Sequence, residues 1–341
     1  MKLHTLLALI FAFAALNAAD LSKEAWKGKK LAPVCLWQDK NIKNGKRRPA
    51  ITPFLVPGNT PRPAVLVIPG GAYRGVCWNT EGHPVARRFN KLGYHAFVLD
   101  YRTAPNRWPA PQQDAMRAMK IIRGNAKKWQ VDPQRVYSCG FSAGGHLAGS
   151  LGTICDQVDA SANDEYDKIS HVPNGMILCY GVLVFEPWSH KGTQQALLGD
   201  DYVKIAAKYS LPPKINRNTP PAFLMHTIGD TGVSYRNSIE FANAMAKHKR
   251  PCQLYLCNWG HHGMLLGNNT LDVGKWSECA VNFLETVNRM KSDPEYIKRY
   301  TNRYQSKTTI DHPFQRSFLT NSVVDIHSTS GSSAKRRSLS S

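Results

Sequence analysis

Six short apolar runs recur along the chain: residues 64–69 (AVLVIP), 96–99 (AFVL), 136–139 (VYSC), 176–180 (MILCY), 222–227 (AFLMHT) and 253–257 (QLYLC). A strand with one wet face alternates apolar and polar residues. Most of these runs do not alternate, so both of their faces must be covered. The stretches between or after them have helical spacing: residues 85–92, 112–129, the segment from Gly144, 238–247 and 274–290. In 112–129, Ala115, Met116, Met119, Ile122 and Ala126 fall on one side, and Asp114 is placed in the first turn, where a carboxylate suits the helix dipole. Buried strands separated by helices imply an α/β protein, a mostly parallel, doubly wound sheet with helices on both faces and right-handed crossovers. One earlier strand is expected near residues 51–56, inside a polar stretch broken by Pro49, Pro53 and Pro57. Residues 182–219 carry little strand signal apart from a short helix at 203–208. An excursion of that length in a compact domain is expected to shape a substrate pocket.

The two ends read differently. The chain starts MKLHTLLALIFAFAALNAAD, with a basic opening, an apolar run over 6–16 and small residues at 17–19. This is the layout of a secretory signal peptide, and the run is well short of the ~20 residues that a spanning helix needs. Residues 1–19 are therefore expected to be cleaved and the mature protein to be exported, periplasmic or extracellular, without stable membrane insertion. Residues 20–290 form the expected α/β domain, with 182–219 as its insertion. Residues 291–341 carry nine Lys/Arg against four Asp/Glu and end HSTSGSSAKRRSLSS, a composition expected of a flexible basic tail.

Net charge is +20, which would attract polyanions. The charge is scattered, however, and no nucleic-acid motif accompanies it, so a solvated basic surface is expected rather than a nucleic-acid partner. Eight cysteines are present with no C-x-x-C spacing. A thiolate metal site is not expected, and buried free thiols are. Cys252 and Cys257, five apart on one strand, point to opposite faces and cannot pair with each other.

The chemistry is concentrated in Gly140-Phe141-Ser142-Ala143-Gly144, where an apolar run hands over to a helix. G-x-S-x-G alone arises often by chance. In a strand-to-helix turn it presents a serine hydroxyl on a sharp bend, with backbone N–H groups of the helix start beside it. Ser142 is the candidate nucleophile. A serine needs a base, and the oxyanion it generates needs donors. The N–H of Ala143 supplies one donor. The loop after 64–69, Pro69-Gly70-Gly71-Ala72-Tyr73, supplies the others from Gly71 and Ala72. The absence of G-x-x-x-x-G-K-[ST] and G-x-G-x-x-G argues against a phosphate cradle. The acid should precede the base in the chain. Asp230 follows the strand AFLMHT and His262 follows QLYLC, each at a strand's carboxyl end, where ligands meet open α/β sheets. Asp201 and Asp272 are rival acids that follow no sheet strand. His261 is a rival base, and His146, on the helix after Ser142, is expected to pack.

These segments, PGGAY, YRTAPNRWPAPQQDAMRAM, GFSAGGHLAGSLGT, TPPAFLMHTIGD and GHHGM, occur in an order that resembles the alpha/beta hydrolase superfamily. More narrowly, they are similar to exported carbohydrate acetylesterases of the acetyl-xylan-esterase-like, BD-FAE-like group. The likeness covers roughly residues 50 to 290. It implies an alpha/beta hydrolase fold with Ser142 as nucleophile, Asp230 as acid, His262 as base, and Gly71, Ala72 and Ala143 as oxyanion donors. Two positions depart from the family pattern. Ala72 stands where a third glycine is usual, so a positive φ there would be strained. His261 stands where glycine is common.

The resemblance, more than any single residue, points to acetyl esters of plant-type, xylan-like polysaccharide or oligosaccharide, with no cofactor and no metal. Tyr73, Trp78 and Trp188 are candidates to stack on sugar rings, weighed equally against ordinary packing. A general short-chain or feruloyl-type esterase, a non-catalytic hydrolase-fold binding protein and a peptidase remain as alternatives.

Overall fold

The computed structural model describes residues 26–38, 48–268 and 270–293, together with Glu295, Tyr296, Lys298 and Arg299. The leader at 1–19 and all but the start of the 291–341 tail lie outside the described residues. Two compact units divide the chain, one ending at Asn288 and the other beginning at Arg289. In the second, the Glu295 N–H donates to the Asp293 carboxylate at 3.1 Å, and Arg299 pairs with the same group.

In the first unit, nine strands form one sheet among the described residues. They are β1 Lys29–Lys30, β2 Val34–Cys35, β3 Ala50–Leu55, β4 Arg62–Ile68, β5 His95–Asp100, β6 Val131–Phe141, β7 Met176–Cys179, β8 Ala222–Thr227 and β9 Cys252–Cys257. The order is β1-β3-β5-β4-β6-β7-β8-β9, with β2 also on β3. The six strands from β4 to β9 all run parallel. These contain the six apolar runs. β1, β2 and β3 enter antiparallel, so the sheet is mostly parallel, as expected. The two-residue β1 and β2 carry no periodicity that a sequence pattern could reveal.

The main helices are α1 His83–Lys91, α2 Ala110–Gly124, α3 Ala143–Ser150, α4 Lys191–Leu198, α5 Arg236–Lys247 and α6 Trp276–Ser292. Alternate residues of β4 enter different cores. Ala64, Leu66 and Ile68 pack with Ala115, Met119 and Leu147, whereas Val65 and Val67 pack with Val85, Phe89 and Trp276. Helices therefore cover both faces, which is why the strands read as apolar throughout.

Two helix expectations change. The stretch 112–129 is not one helix: α2 ends at Gly124 and a separate turn runs Ala126–Trp129. The Asn125 side chain donates to the Ile121 carbonyl at 3.0 Å and to Tyr166 Oη at 3.1 Å. A short polar side chain competing for backbone acceptors ends regular helix. Asp114 lies beyond the first turn of α2 and is fully buried. It accepts from Trp37 Nε1 at 2.7 Å and from Arg102 Nη2 at 2.8 Å, so a buried ion pair rather than the helix dipole holds it.

All eight cysteines are unpaired. Four are buried, but Cys35 and Cys77 are exposed, which narrows the expectation of buried thiols.

Candidate active site

The bend at Ser142 is backbone-deep. Ser142 has φ 51° and ψ −120°, a conformation costing on the order of 1–3 kcal/mol that surrounding structure must hold. The end of β7 and the segment just after it hold the bend, since Ser142 N–H donates to the Cys179 carbonyl at 3.1 Å and Val182 N–H donates to the Ser142 carbonyl at 3.1 Å. The flanking glycines are required by close approach. A Cβ on Gly140 would stand 2.1 Å from the Gly144 carbonyl oxygen, and one on Gly144 would stand 2.2 Å from the Ile68 carbonyl oxygen. Any side chain at either place would push α3 away from β4 and β6 and open the bend.

The bend carries the Ser142 hydroxyl to the ends of β8 and β9. Ser142 Oγ donates to His262 Nε2 at 2.9 Å, and His262 Nδ1–H donates to Asp230 Oδ2 at 2.8 Å. The other carboxylate oxygen, Oδ1, accepts the N–H groups of Gly232 at 2.9 Å and Val233 at 2.8 Å. The loops bearing acid and imidazole also touch: Thr227 Oγ1 donates to the Gly260 carbonyl at 3.1 Å. Burial opposes ionisation of Asp230, yet hydrogen bonds from His226, His262 and the Val233 N–H outweigh it and hold the carboxyl well below the usual carboxylate range. An ionised Asp230 fixes the proton of His262 on Nδ1 and leaves Nε2 free to accept from Ser142.

The rival groups are elsewhere. His261 is exposed and its Nδ1–H donates to the His262 carbonyl at 2.6 Å. Asp201 pairs with Lys204 at 3.0 Å on an exposed turn. Asp272 accepts from the Val273 N–H at 2.7 Å, capping a short turn. His146 is fully buried between Tyr73 Oη at 2.9 Å and the Tyr209 carbonyl at 2.9 Å. The Tyr209 carbonyl requires Nε2–H as donor, and in the neutral ring Nδ1 accepts from the Tyr73 hydroxyl.

Burial pushes the His146 pKa down to about 4, from an ordinary value of 6.5. Between those values the unfolded chain binds a proton that the folded protein refuses. His146 therefore lowers stability as pH falls from about 6.5 to about 4, by something on the order of 3 kcal/mol across the window. Urea unfolding at pH 7, 5.5 and 4 should show this decline, and a flat profile would contradict it.

The loop at the end of β4 lies against the bend. A Cβ on Gly70 would stand 2.9 Å from Ser142 Cβ. Ala72 has φ 54° and Tyr73 φ 57°, so the alanine does occupy a left-handed position, as its replacement of glycine made a concern. The strain is held by local bonds: Arg74 and Gly75 N–H donate to the Gly71 carbonyl, and Ala104 N–H donates to the Tyr73 carbonyl. Among the described residues, the N–H groups of Gly71, Ala72 and Ala143 have no protein acceptor, which leaves them available to a ligand.

The three aromatic candidates separate. Tyr73 is fully buried, which corrects its assignment as a sugar-stacking residue: the left-handed turn sends its ring inward to meet His146 and Tyr101. Trp78 is half-buried against the core that holds Val67 and Phe141. Trp188 lines a cavity of about 470 Å³ with Ser189, His190, Asp230, Thr231 and Gly232, and the Arg236 guanidinium lies 4.4 Å over its ring. The 182–219 excursion thus supplies one wall of a cavity at the acid's side.

Four residues near the site had no sequence signal that singled them out. His226, on β8, sits 3.4 Å from Asp230 Oδ2 and donates to the Val233 carbonyl, bracing the acid's loop. Tyr180 places its ring edge-on to His262 with centroids 5.2 Å apart. Glu81 lies beneath Gly70. His190 accepts from the Thr193 N–H as the cap of α4 and faces the cavity.

A family model described as BD-FAE matches residues 56–245. Endo-1,4-beta-xylanase B of Butyrivibrio fibrisolvens is 36% identical over 244 residues, which cover 70% of this chain and 38% of that protein. Acetylxylan esterase of Xylanibacter ruminicola is 30% identical over 219 residues, 62% of this chain and 43% of that protein. The chain therefore spans less than half the length of these curated relatives. The crystal structure of an acetyl ester-xyloside bifunctional hydrolase from Caldicellulosiruptor lactoaceticus superimposes with a TM-score of 0.71 at 34% identity, covering 75% of this chain and 96% of that one.

Proposed function

Since this chain belongs to the BD-FAE family of alpha/beta hydrolases, we propose that it hydrolyses carboxylic esters and that its substrate is an acetylated, xylan-type oligosaccharide or polysaccharide. The observation that carries the reading is the unbroken relay from Ser142 Oγ through His262 to Asp230, at 2.9 Å and 2.8 Å. Ser142 attacks the ester carbonyl as His262 Nε2 takes its proton. Asp230, ionised and held by two backbone donors, stabilises the imidazolium that forms. The oxyanion is received by the N–H groups of Ala72 and Ala143, with Gly71 beside them. His262 returns the proton to the leaving sugar oxygen. Water, deprotonated by the same nitrogen, then attacks the acyl-enzyme, and His262 returns that proton to Ser142 Oγ as acetate leaves.

The acetyl and sugar assignments are supported by the activities for which the relatives are named and by Trp188. On this reading the alcohol portion of the ester extends past His262 towards Trp188, whose apolar ring meets a pyranose face while polar groups around it fix orientation. Export, expected from the leader, belongs to the same proposal.

The test compares acetylated xylo-oligosaccharides, feruloyl esters and p-nitrophenyl esters of rising chain length, on the parent protein and on Trp188→Ala. The oligosaccharide acetates should be preferred. Trp188→Ala should raise their KM about tenfold, equivalent to about 1.4 kcal/mol, and leave KM for p-nitrophenyl acetate within about twofold. Preference for feruloyl esters, or an equal rise in KM for both classes, would remove the acetylated-sugar reading.

A further inference from the structure

The Glu81 carboxyl takes no part in the relay but joins the segments around it. It is 6% exposed. Its Oε2 accepts the Gly70 N–H at 2.6 Å, and its Oε1 accepts the Tyr180 hydroxyl at 3.1 Å. Gly70 opens the loop that carries Ala72. A Cβ there would stand 2.9 Å from both Ser142 Cβ and Glu81 Oε2, so the carboxylate is directly behind the bend. Tyr180 presents its ring edge to His262, and its hydroxyl also meets the backbone of Leu265, in the loop that follows His262. One carboxyl thus reaches the oxyanion loop through Gly70 and the base through Tyr180.

Its burial is costly. Burial pushes the Glu81 carboxyl above the usual carboxylate range, with the Gly70 and Tyr180 hydrogen bonds and the nearby His262 pulling it back. No Lys or Arg forms a salt bridge with it among the described residues. An apolar side chain of similar volume would fill the space at less cost.

We propose that Glu81 is a positioning residue, which sets the Ala72 N–H and the His262 ring in register with Ser142 by holding Gly70 and Tyr180 at once. The inference rests on the ester-hydrolysis reading above. It predicts that losing Glu81 weakens stabilisation of the developing oxyanion more than it weakens substrate binding. A displacement of about 1 Å in such a site can cost on the order of 100-fold in rate.

The experiment compares Glu81→Ala, Glu81→Gln and Tyr180→Phe with the parent on p-nitrophenyl acetate, alongside affinity for an aryl trifluoromethyl ketone, whose serine adduct carries an oxyanion. Glu81→Ala should lower kcat at least about tenfold, with KM within about threefold, and weaken the ketone by a similar factor. Glu81→Gln keeps an acceptor for the Gly70 N–H and should recover most of both. Tyr180→Phe removes one link and should lower kcat and ketone affinity about threefold, which keeps the test decisive if Glu81→Ala does not fold. Parent-like kcat and ketone affinity in a folded Glu81→Ala or in Tyr180→Phe would overturn the inference. So would a folded Glu81→Gln as impaired as Glu81→Ala. An inactive parent protein would overturn the hydrolysis reading together with this one, whereas an active parent with indifferent variants would overturn this one alone.

Discussion

Ser142→Ala is expected to reduce ester turnover by about 10⁶-fold while leaving the fold intact. The size follows from what the hydroxyl does. In the proposed mechanism it is the atom that forms the acyl-enzyme, and no neighbouring hydroxyl or thiol among the described residues shares its position on the bend. The nearest cysteine along β6, Cys139, is fully buried. The residue that replaces serine keeps the backbone at φ 51°, so stability should change little; among the described residues, Oγ makes no bond other than that to His262. The residual rate over water would come from the oxyanion donors and binding, as in other serine hydrolases stripped of their nucleophile. Turnover of p-nitrophenyl acetate and the thermal midpoint measure the two halves of the expectation. A fluorophosphonate should label Ser142 in the parent and nothing in the variant. Sustained turnover by a folded Ser142→Ala protein would exclude this serine from the chemistry.

His262→Ala should cost nearly as much, on the order of 10⁴- to 10⁶-fold, because Ser142 then has no acceptor for its proton and the leaving oxygen has no donor. His261→Ala should stay within about threefold of the parent, since that ring is exposed and, among the described residues, bonds the His262 carbonyl alone. Adjacent histidines allow a direct contrast: both variants alter the same loop, so a shared structural effect would appear in both. Asp230→Asn should fall between them, near 10⁴-fold, because an amide cannot hold the imidazole in the tautomer that Ser142 requires. Rates for the three variants at matched pH decide the matter. If His261→Ala is the crippled protein, the base has been misassigned.

Much of this site could be read before any coordinates. Gly140 and Gly144 had to be small because strand and helix turn back on each other there. The Cβ clashes of 2.1 Å and 2.2 Å give the reason that the motif's spacing only implied. The order Ser142, Asp230, His262 followed from each residue standing just past a strand, and strands that are buried on both faces are conspicuous in sequence. The choice between His261 and His262 was harder, because neighbours in sequence have the same local signals. It is decided by which ring points at Asp230, a matter of how the loop after β9 turns.

What failed was the reading of aromatic residues. Tyr73 and Trp188 stand in turns and Trp78 opens the helical turn Trp78–Gly82, and such local positions say nothing about which way a ring turns. The left-handed Ala72-Tyr73 pair sends one inward, core packing half-covers the second, and Trp188 lines a cavity. Likewise, Glu81, Tyr180 and His226 sit 61, 38 and 84 residues from Ser142 along the chain, and polar groups that meet only through folding carry no common spacing.

The sequence by itself determined the parallel, doubly covered sheet and the strand ends at which chemistry could occur, because burial on two faces and tight glycine turns leave a local, periodic imprint. Only the tertiary structure decided which side chains meet at those ends, which ring is sheltered and which is offered to a ligand, and how a carboxylate distant in the chain comes to lie behind the serine. Hydrogen bonds and packing between segments depend on where strands end in space, and that is a property of the whole sheet rather than of any stretch of residues.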